Sequence, residues 1–297
     1  MAANVGWLNY KQQRSTGPNV VLHCVKSECA MKYVSLIIVC FIFKAQAAGC
    51  VLRMGIESGF APFIIANGDS WRGLNVELLQ RLGQEVGCEV EFVHSPWLRS
   101  LRLVEQGELD VLSHLSYNPQ RSAQFAFIGP HHQENIYLVG LPSAFVGLTA
   151  MSELKQHGTS GIIALLNGAY YGEELESILN DAKNLTRFVF IRGNADKQAL
   201  LLNGRVHGVL EDIAAYHYWK SNNTLAREQF KPLFRVHQSP VFFGFNRLTL
   251  GEAQLKQLTA AWQQLYVDGS LQAIIDRYPM ANYQLTIPMP APILPAL

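Results

Sequence analysis

From Val51 onward the chain alternates short unbroken apolar runs with segments whose apolar residues recur every three or four positions. Val51–Ile56 reads as a strand. Leu74, Leu78, Leu82 and Val86 then form an i, i+4 stripe that predicts a helix, and 90–93 is the next strand. Ser95-Pro96 offers an N-cap and first-turn pair for a second helix, and 109–115 is a third strand. This β-α-β-α-β rhythm predicts a parallel sheet with right-handed crossovers. A similar series begins at Gly161: strand 161–165, a helix from about Tyr170, strand Phe188–Ile191, helix 196–202, strand 208–210 and helix 213–220. Two extended apolar runs, 136–141 and 240–245, separate the series, and 255–266 and 271–277 read as closing helices.

Two α/β units joined by two extended crossings predict a bilobal clamp with a discontinuous first lobe. A ligand would lie between the lobes, at the strand C-terminal ends. The expected boundaries are 48–137 with 242–280 for lobe 1, 138–241 for lobe 2, and a Pro-rich tail at 281–297. The competing architecture is one continuous doubly wound sheet, which the two extended crossings disfavour.

The N-terminal pattern is different. Met31-Lys32 opens a short positive region, 33–43 is an apolar run, and Ala45-Gln46-Ala47 has the small-residue spacing of a secretory cleavage site. The run is shorter than the roughly 20 residues a membrane span needs. Residues 31–47 are therefore expected to be a signal peptide, and 1–30 an upstream extension outside the mature protein. Ala47-Ala48-Gly49-Cys50 resembles a lipoprotein box, but Ala47 replaces a larger aliphatic residue and Cys50 runs straight into a strand. Lipid anchoring at Cys50 is the lesser reading, and export to the periplasm the main one.

Of 297 residues, 24 are Lys or Arg and 23 are Asp or Glu. Residues 1–47 hold five of the bases and one acid, which leaves 19 and 22 in the mature chain, a net of −3. No basic run is present, so nothing points to nucleic acid. Cys50 and Cys88 each begin a β-like run. Parallel neighbouring strands starting level would bring them within bridging reach, and an oxidising periplasm would join them.

Candidate chemistry concentrates after the third strand, in Ser113-His114-Leu115-Ser116-Tyr117-Asn118-Pro119-Gln120-Arg121. Hydroxyls and free backbone N–H groups at a strand end, with an Arg five residues after Ser116, are suited to gripping a carboxylate. Nine His invite a metal reading, above all His131-His132. Adjacent residues rarely chelate one ion together, and no Cys or acidic partner sits at ligand spacing, so no metal or cofactor is expected. No phosphate loop or nucleophile elbow is visible.

Seven segments in order carry a family resemblance: Phe60-Ala61-Pro62-Phe63, residues 73–79, 107–110, 116–121 and 127–130, Gly204-Arg205-Val206, and Asp268-Gly269-Ser270 with Tyr278. Together they resemble the bacterial extracellular solute-binding proteins of family 3, the periplasmic receptors of polar amino acid ABC importers. The resemblance covers about Cys50 to Pro279. It implies an α/β fold of the type II periplasmic-binding-protein kind, two lobes joined by two extended crossover strands, closing on ligand. It also implies a monomer that delivers a small amino-acid-like ligand to an inner-membrane ABC permease.

By the same resemblance, Ser116 and Arg121 hold the ligand α-carboxylate, and Ser113 offers a carbonyl to its amine. His114 stands where a small hydroxyl residue is usual. Phe60 matches a stacking aromatic, Trp97 an opposite wall, and Glu57 an acid that meets the ligand side chain. In the second lobe Gly168, Ala169 and Tyr170 lie in the strand-to-helix loop that meets the carboxylate. Ala169 lacks the hydroxyl usual there. Glu211 matches the acid for the α-ammonium, with Asp212 capping the next helix. Two alternatives accompany this reading: a cyclohexadienyl-dehydratase-like enzyme on the same fold, and a sensory receptor without transport.

Overall fold

The computed structural model describes residues 49–155 and 161–278. The expected extension 1–30, the signal peptide 31–47 and the tail 281–297 lie outside the described residues.

The first half contains β1 (Val51–Ile56), a small hairpin of β2 (Ile65–Asn67) and β3 (Ser70–Arg72), α1 (Leu74–Val86), β4 (Glu89–His94), α2 (Trp97–Glu105), β5 (Val111–Ser116) and the one-turn α3 (Pro119–Ser122). The long strand β6 (Phe125–Gly140) leads into β7 (Ile163–Leu166), α4 (Glu173–Leu179), β8 (Phe188–Ile191), α5 (Ala195–Leu202), β9 (Gly208–Asp212), α6 (Ile213–Asn222) and α7 (Thr224–Gln229). Strand β10 (Lys231–Asn246) returns to the first half, where α8 (Glu252–Val267) and α9 (Ser270–Ile275) close the chain.

Sheet order is β4-β1-β5-β10-β6-β9-β7-β8. Each half has the same plan: a first strand flanked in parallel by the second and third, then a long antiparallel strand beside the third. The long strands β6 and β10 pair antiparallel from Phe125↔Asn246 to Lys231↔Gly140. Sixteen residues at ~3.3 Å each span about 50 Å, enough to run from one half into the other. Hydrogen bonding is thus continuous across eight strands, more than two separate lobe sheets would give. The antiparallel pair at the centre still rules out a doubly wound sheet.

Apolar packing follows this division. Leu74, Leu78, Leu79 and Leu82 of α1 share a core with Leu52, Met54, Phe243 and Trp262. The opposite face of that sheet packs Leu103, Val104, Leu112, Leu115 and Phe242. The second half has its own core, from Ile136 and Leu138 through Leu165 and Leu175 to Tyr216 and Phe230. The predicted bridge is present: Cys50 and Cys88 join the starts of β1 and β4, with Cα atoms 4.5 Å apart. Near the C-terminus Tyr278 donates its hydroxyl to Glu77, which also pairs with Arg277 at 2.6 Å.

Several local expectations change. Ser95 does not cap α2. Pro96 holds the N-cap position, and no side chain of that residue can serve. Helix α4 starts at Glu173, not near Tyr170, because Tyr171 is buried and its hydroxyl accepts from the Leu166 N–H at 2.9 Å. The short β2–β3 hairpin and α7 were not anticipated, being too brief for periodicity to register.

Candidate functional site

The C-terminal ends of β1, β5, β7, β8 and β9 converge on one small cavity of about 80 Å³ between the two halves. Ten of the sequence-selected residues line it: Glu57, Phe60, Trp97, Ser113, His114, Ser116, Arg121, Ala169, Tyr170 and Glu211. Gly168 lies in the loop beside it and contributes a carbonyl instead.

Arg121 is set by its own short helix. Asn118 caps α3 by accepting from the Arg121 N–H at 2.8 Å, and Pro119 fits the first helical position. The guanidinium donates from Nη1 to the Ser116 carbonyl at 2.9 Å and from Nη2 to the Gly168 carbonyl at 2.8 Å, so it ties the two halves together. Gly168 has φ +79°, and a Cβ there would meet Leu101 Cδ1 at 2.7 Å. The positive φ is what favours glycine, since the Leu101 methyl ends a flexible side chain that can give way. Burial lowers the Arg121 pKa to about 10, which still leaves it charged at neutral pH.

Behind Arg121 lies a polar floor absent from the expectations. The Ser116 hydroxyl donates to Glu134 at 2.6 Å, and Ser239 donates to the same oxygen at 3.1 Å. His114 Nε2 stands 3.5 Å from the other Glu134 oxygen. Burial pushes the Glu134 carboxyl up, but the His114 ring and the Ser116 hydroxyl more than reverse this and hold it below the usual range. Ser116 therefore commits its only hydroxyl proton to Glu134.

His114 has φ +58° within β5, a left-handed conformation that costs a non-glycine residue roughly 1–2 kcal/mol. Its ring packs edge-on against Phe60 and Phe63, with centroids at 4.7 and 4.6 Å. His131 and His132 are fully buried beneath it, and their Nδ1 atoms lie 2.7 Å apart. His131 Nε2 accepts from the His114 N–H at 3.3 Å. Burial first, and neighbouring rings second, hold both histidines well below the ordinary histidine pKa.

Glu57 accepts from the Asn194 N–H at 3.1 Å and from Asn194 Nδ2 at 2.8 Å, and the Trp97 N–H adds a further bond. Burial leaves its carboxyl above the usual range despite these donors. Since Asn194 follows β8, this pair crosses between the halves. The Leu98 N–H donates to the Arg192 carbonyl at 3.0 Å in the same seam. Gly59 fits there only without a side chain, because φ is +86° and a Cβ would lie 2.6 Å from Ala195 Cα.

On the opposite wall, Glu211 does not stand alone. Its Oε1 accepts from Lys197 Nζ at 3.1 Å and from the Asp212 N–H at 3.1 Å. Lys197 is buried on α5, 5.9 Å from the Phe60 ring centroid. Burial lowers its pKa, yet Glu211 and Tyr171 more than compensate, and the ammonium titrates above its usual value. Asp212 caps α6 as expected, accepting from Ala214 at 2.7 Å, and its second oxygen accepts from Asn135 at 3.0 Å. Burial raises its pKa to about 6.

The fold also brings together what sequence spacing kept apart. His114, His132 and Asp212 place possible metal-ligating atoms within 4.8 Å of one another. The acidic partner judged missing from the sequence is Asp212, although both its oxygens already accept backbone N–H groups. Lys197, Glu134 and Asn194 were missed altogether. Lys197 and Asn194 carry no local signal. Glu134 has one, as a lone carboxylate inside the otherwise buried strand β6.

This arrangement, two α/β halves joined by a pair of long strands and shut over a polar cavity, defines a solute-binding clamp. The chain belongs to the bacterial extracellular solute-binding proteins, family 3, whose profile matches residues 52–281. It is 22% identical to ABC transporter arginine-binding protein 1 of Escherichia coli K12 over 80% of this chain and 94% of that protein. It is 23% identical to a probable histidine-binding protein of Neisseria gonorrhoeae, over 79% and 85% respectively. Among solved structures, a histidine kinase sensor domain with similarity to periplasmic binding proteins superposes with a TM-score of 0.65 at 19% identity, over 80% of this chain and 98% of that one.

Proposed function

We propose that this protein is a periplasmic receptor that closes lobes 48–137 plus 242–280 and 138–241 on a small amino-acid-like ligand and delivers it to an inner-membrane ABC permease. The observation that carries the reading is Arg121. Its guanidinium lines the cavity while bridging the Ser116 and Gly168 carbonyls, so a carboxylate held there would pair with a group anchored on both lobes. A ligand that contacts both lobes favours the closed form over the open one. The relatives named as arginine- and histidine-binding proteins support a ligand of this class and a transport role. Residues 31–47 fit export of the mature chain, and Phe60 and Trp97 would wall the ligand.

The test is calorimetric titration of the purified protein with a ligand found by thermal-shift screening, since a cleft ligand stabilises by mass action. Arg121→Ala is expected to weaken binding by at least about a hundredfold, as a buried carboxylate would lose its charged donor. Wild-type affinity in that variant would overturn the assignment of the cleft.

A further inference from the structure

The wall that should greet a ligand ammonium already holds one. Glu211 is the acid the family resemblance assigns to that task, and Lys197 Nζ sits 3.1 Å from its Oε1. Both side chains are about 5% exposed. The Lys197 ammonium also stands near the Phe60 ring, where a small cation in the cavity would be drawn. A second ammonium at Glu211 would lie beside the first, and in a buried site like charges at contact range repel strongly.

Hydrogen-bond satisfaction around the cavity leans the same way. Each wall carboxylate already receives protein hydrogens: Glu57 from Asn194, Glu134 from Ser116 and Ser239, Glu211 from Lys197, and Asp212 from Asn135 and Ala214. The donors are in surplus. Lys197 has three N–H bonds and, among the described residues, the one hydrogen-bond acceptor Glu211. Trp97 lines the cavity, and its Nε1 is buried without any acceptor among them. Arg121 commits one nitrogen to each of two carbonyls and keeps further N–H bonds. Glu211 keeps Oε2 for a further hydrogen, but the Lys197 ammonium stands beside it. Apart from the carboxylates, two groups could take a ligand hydrogen: Asn194 Oδ1, which is buried without a donor, and His114 Nδ1. They suit a neutral hydroxyl and provide no counter-charge.

We infer that Lys197 occupies the place of the ligand's α-ammonium, so that the cleft selects small carboxylates without an α-amino group: 2-oxo acids, 2-hydroxy acids or dicarboxylates. This rests on the receptor reading above and narrows it. Arg121 takes one carboxylate, and Lys197 and Trp97 donate to the second anionic or oxo group.

The experiment is a thermal-shift and calorimetric comparison of matched pairs at millimolar concentration: L-glutamate against glutarate and 2-oxoglutarate, L-arginine against 5-guanidinopentanoate, and L-phenylalanine against phenylpyruvate. The amino-free member of at least one pair should bind about tenfold or more tighter than its amino acid. Tighter binding of the amino acids would overturn the inference while leaving a receptor. No shift with any compound would count against the receptor reading itself. Two variants test Lys197 directly. Lys197→Met should reverse the preference, because it frees Glu211 for an incoming ammonium. Lys197→Met with Glu211→Gln leaves no buried unpaired charge and should lose about tenfold in affinity for the preferred acid without gaining an amino acid. Full retention of acid binding in the double variant would show the pair to be structural only and sink the proposal.

Discussion

At the scale of single residues, the site is governed by where protons sit. His131 and His132 stay neutral in the folded protein at pH values that protonate an exposed histidine. Below about pH 6.5 the unfolded chain therefore binds more protons than the folded one, and these two rings make stability fall as the pH drops. Asp212, raised from 3.8 to about 6, acts with the opposite sign: its contribution is full below 3.8 and is lost as the pH rises through about 6. Glu57, also raised, acts in the same direction. Comparing variants isolates the histidines. His132→Gln should flatten the decline of unfolding free energy between about pH 6.5 and 5 by about 1.4 kcal/mol per pH unit, measured by urea denaturation. An unchanged slope would mean that the ring takes up its proton while folded. Little of this was legible in the sequence. Ser113, His114 and Arg121 stand in one stretch that draws notice, whereas Lys197 is an ordinary polar position near the start of α5. Its meaning depends on Glu211, fourteen residues away and on another element, and residue spacing does not encode that distance.

Elements were far more legible than residues. The Leu74, Leu78 and Leu82 stripe marks α1 because a helix that buries one face must repeat apolar residues at that period. The run Val51–Ile56 marks β1 because apolar Leu52, Met54 and Ile56 recur at every second residue, and these are the buried positions. The long strands were seen only in part: β6 begins at Phe125, well before the expected 136, and polar His131, His132 and Glu134 hide its continuity. Those side chains are buried: Glu134 accepts from Ser116 and Ser239, His131 and His132 share one ring–ring contact, and His132 Nε2 has no partner among the described residues. The level starts of β1 and β4 were readable, and the Cys50–Cys88 bridge spans a separation of 38 residues. A loop of that length restricts the unfolded chain by about 3–4 kcal/mol. The Cys50→Ser, Cys88→Ser double variant should lose stability of that order in chemical denaturation. A loss below about 1 kcal/mol would mean that the paired strands hold this edge without help.

For the whole molecule, closure is partly the chain's own work. Glu57 to Asn194, Leu98 to Arg192 and Arg121 to Gly168 all cross the seam using protein atoms alone. Asn194→Ala removes the side-chain donor of a buried, charge-assisted bond that contributes about 1.5–3 kcal/mol. It should shift the population toward the open form, with a larger radius of gyration in small-angle scattering and weaker ligand binding. An unchanged scattering profile and affinity would show that this latch is dispensable. The halves are also bound together in a second way. Because β6 and β10 stay paired from Phe125↔Asn246 to Lys231↔Gly140, each lobe's sheet is completed by a strand that continues into the other. Neither lobe can shed its long strand without unzipping its neighbour's edge, so the cost of losing one is shared by both. The ribbon that joins the halves is thus a splice in stability, and the two halves are expected to melt as one.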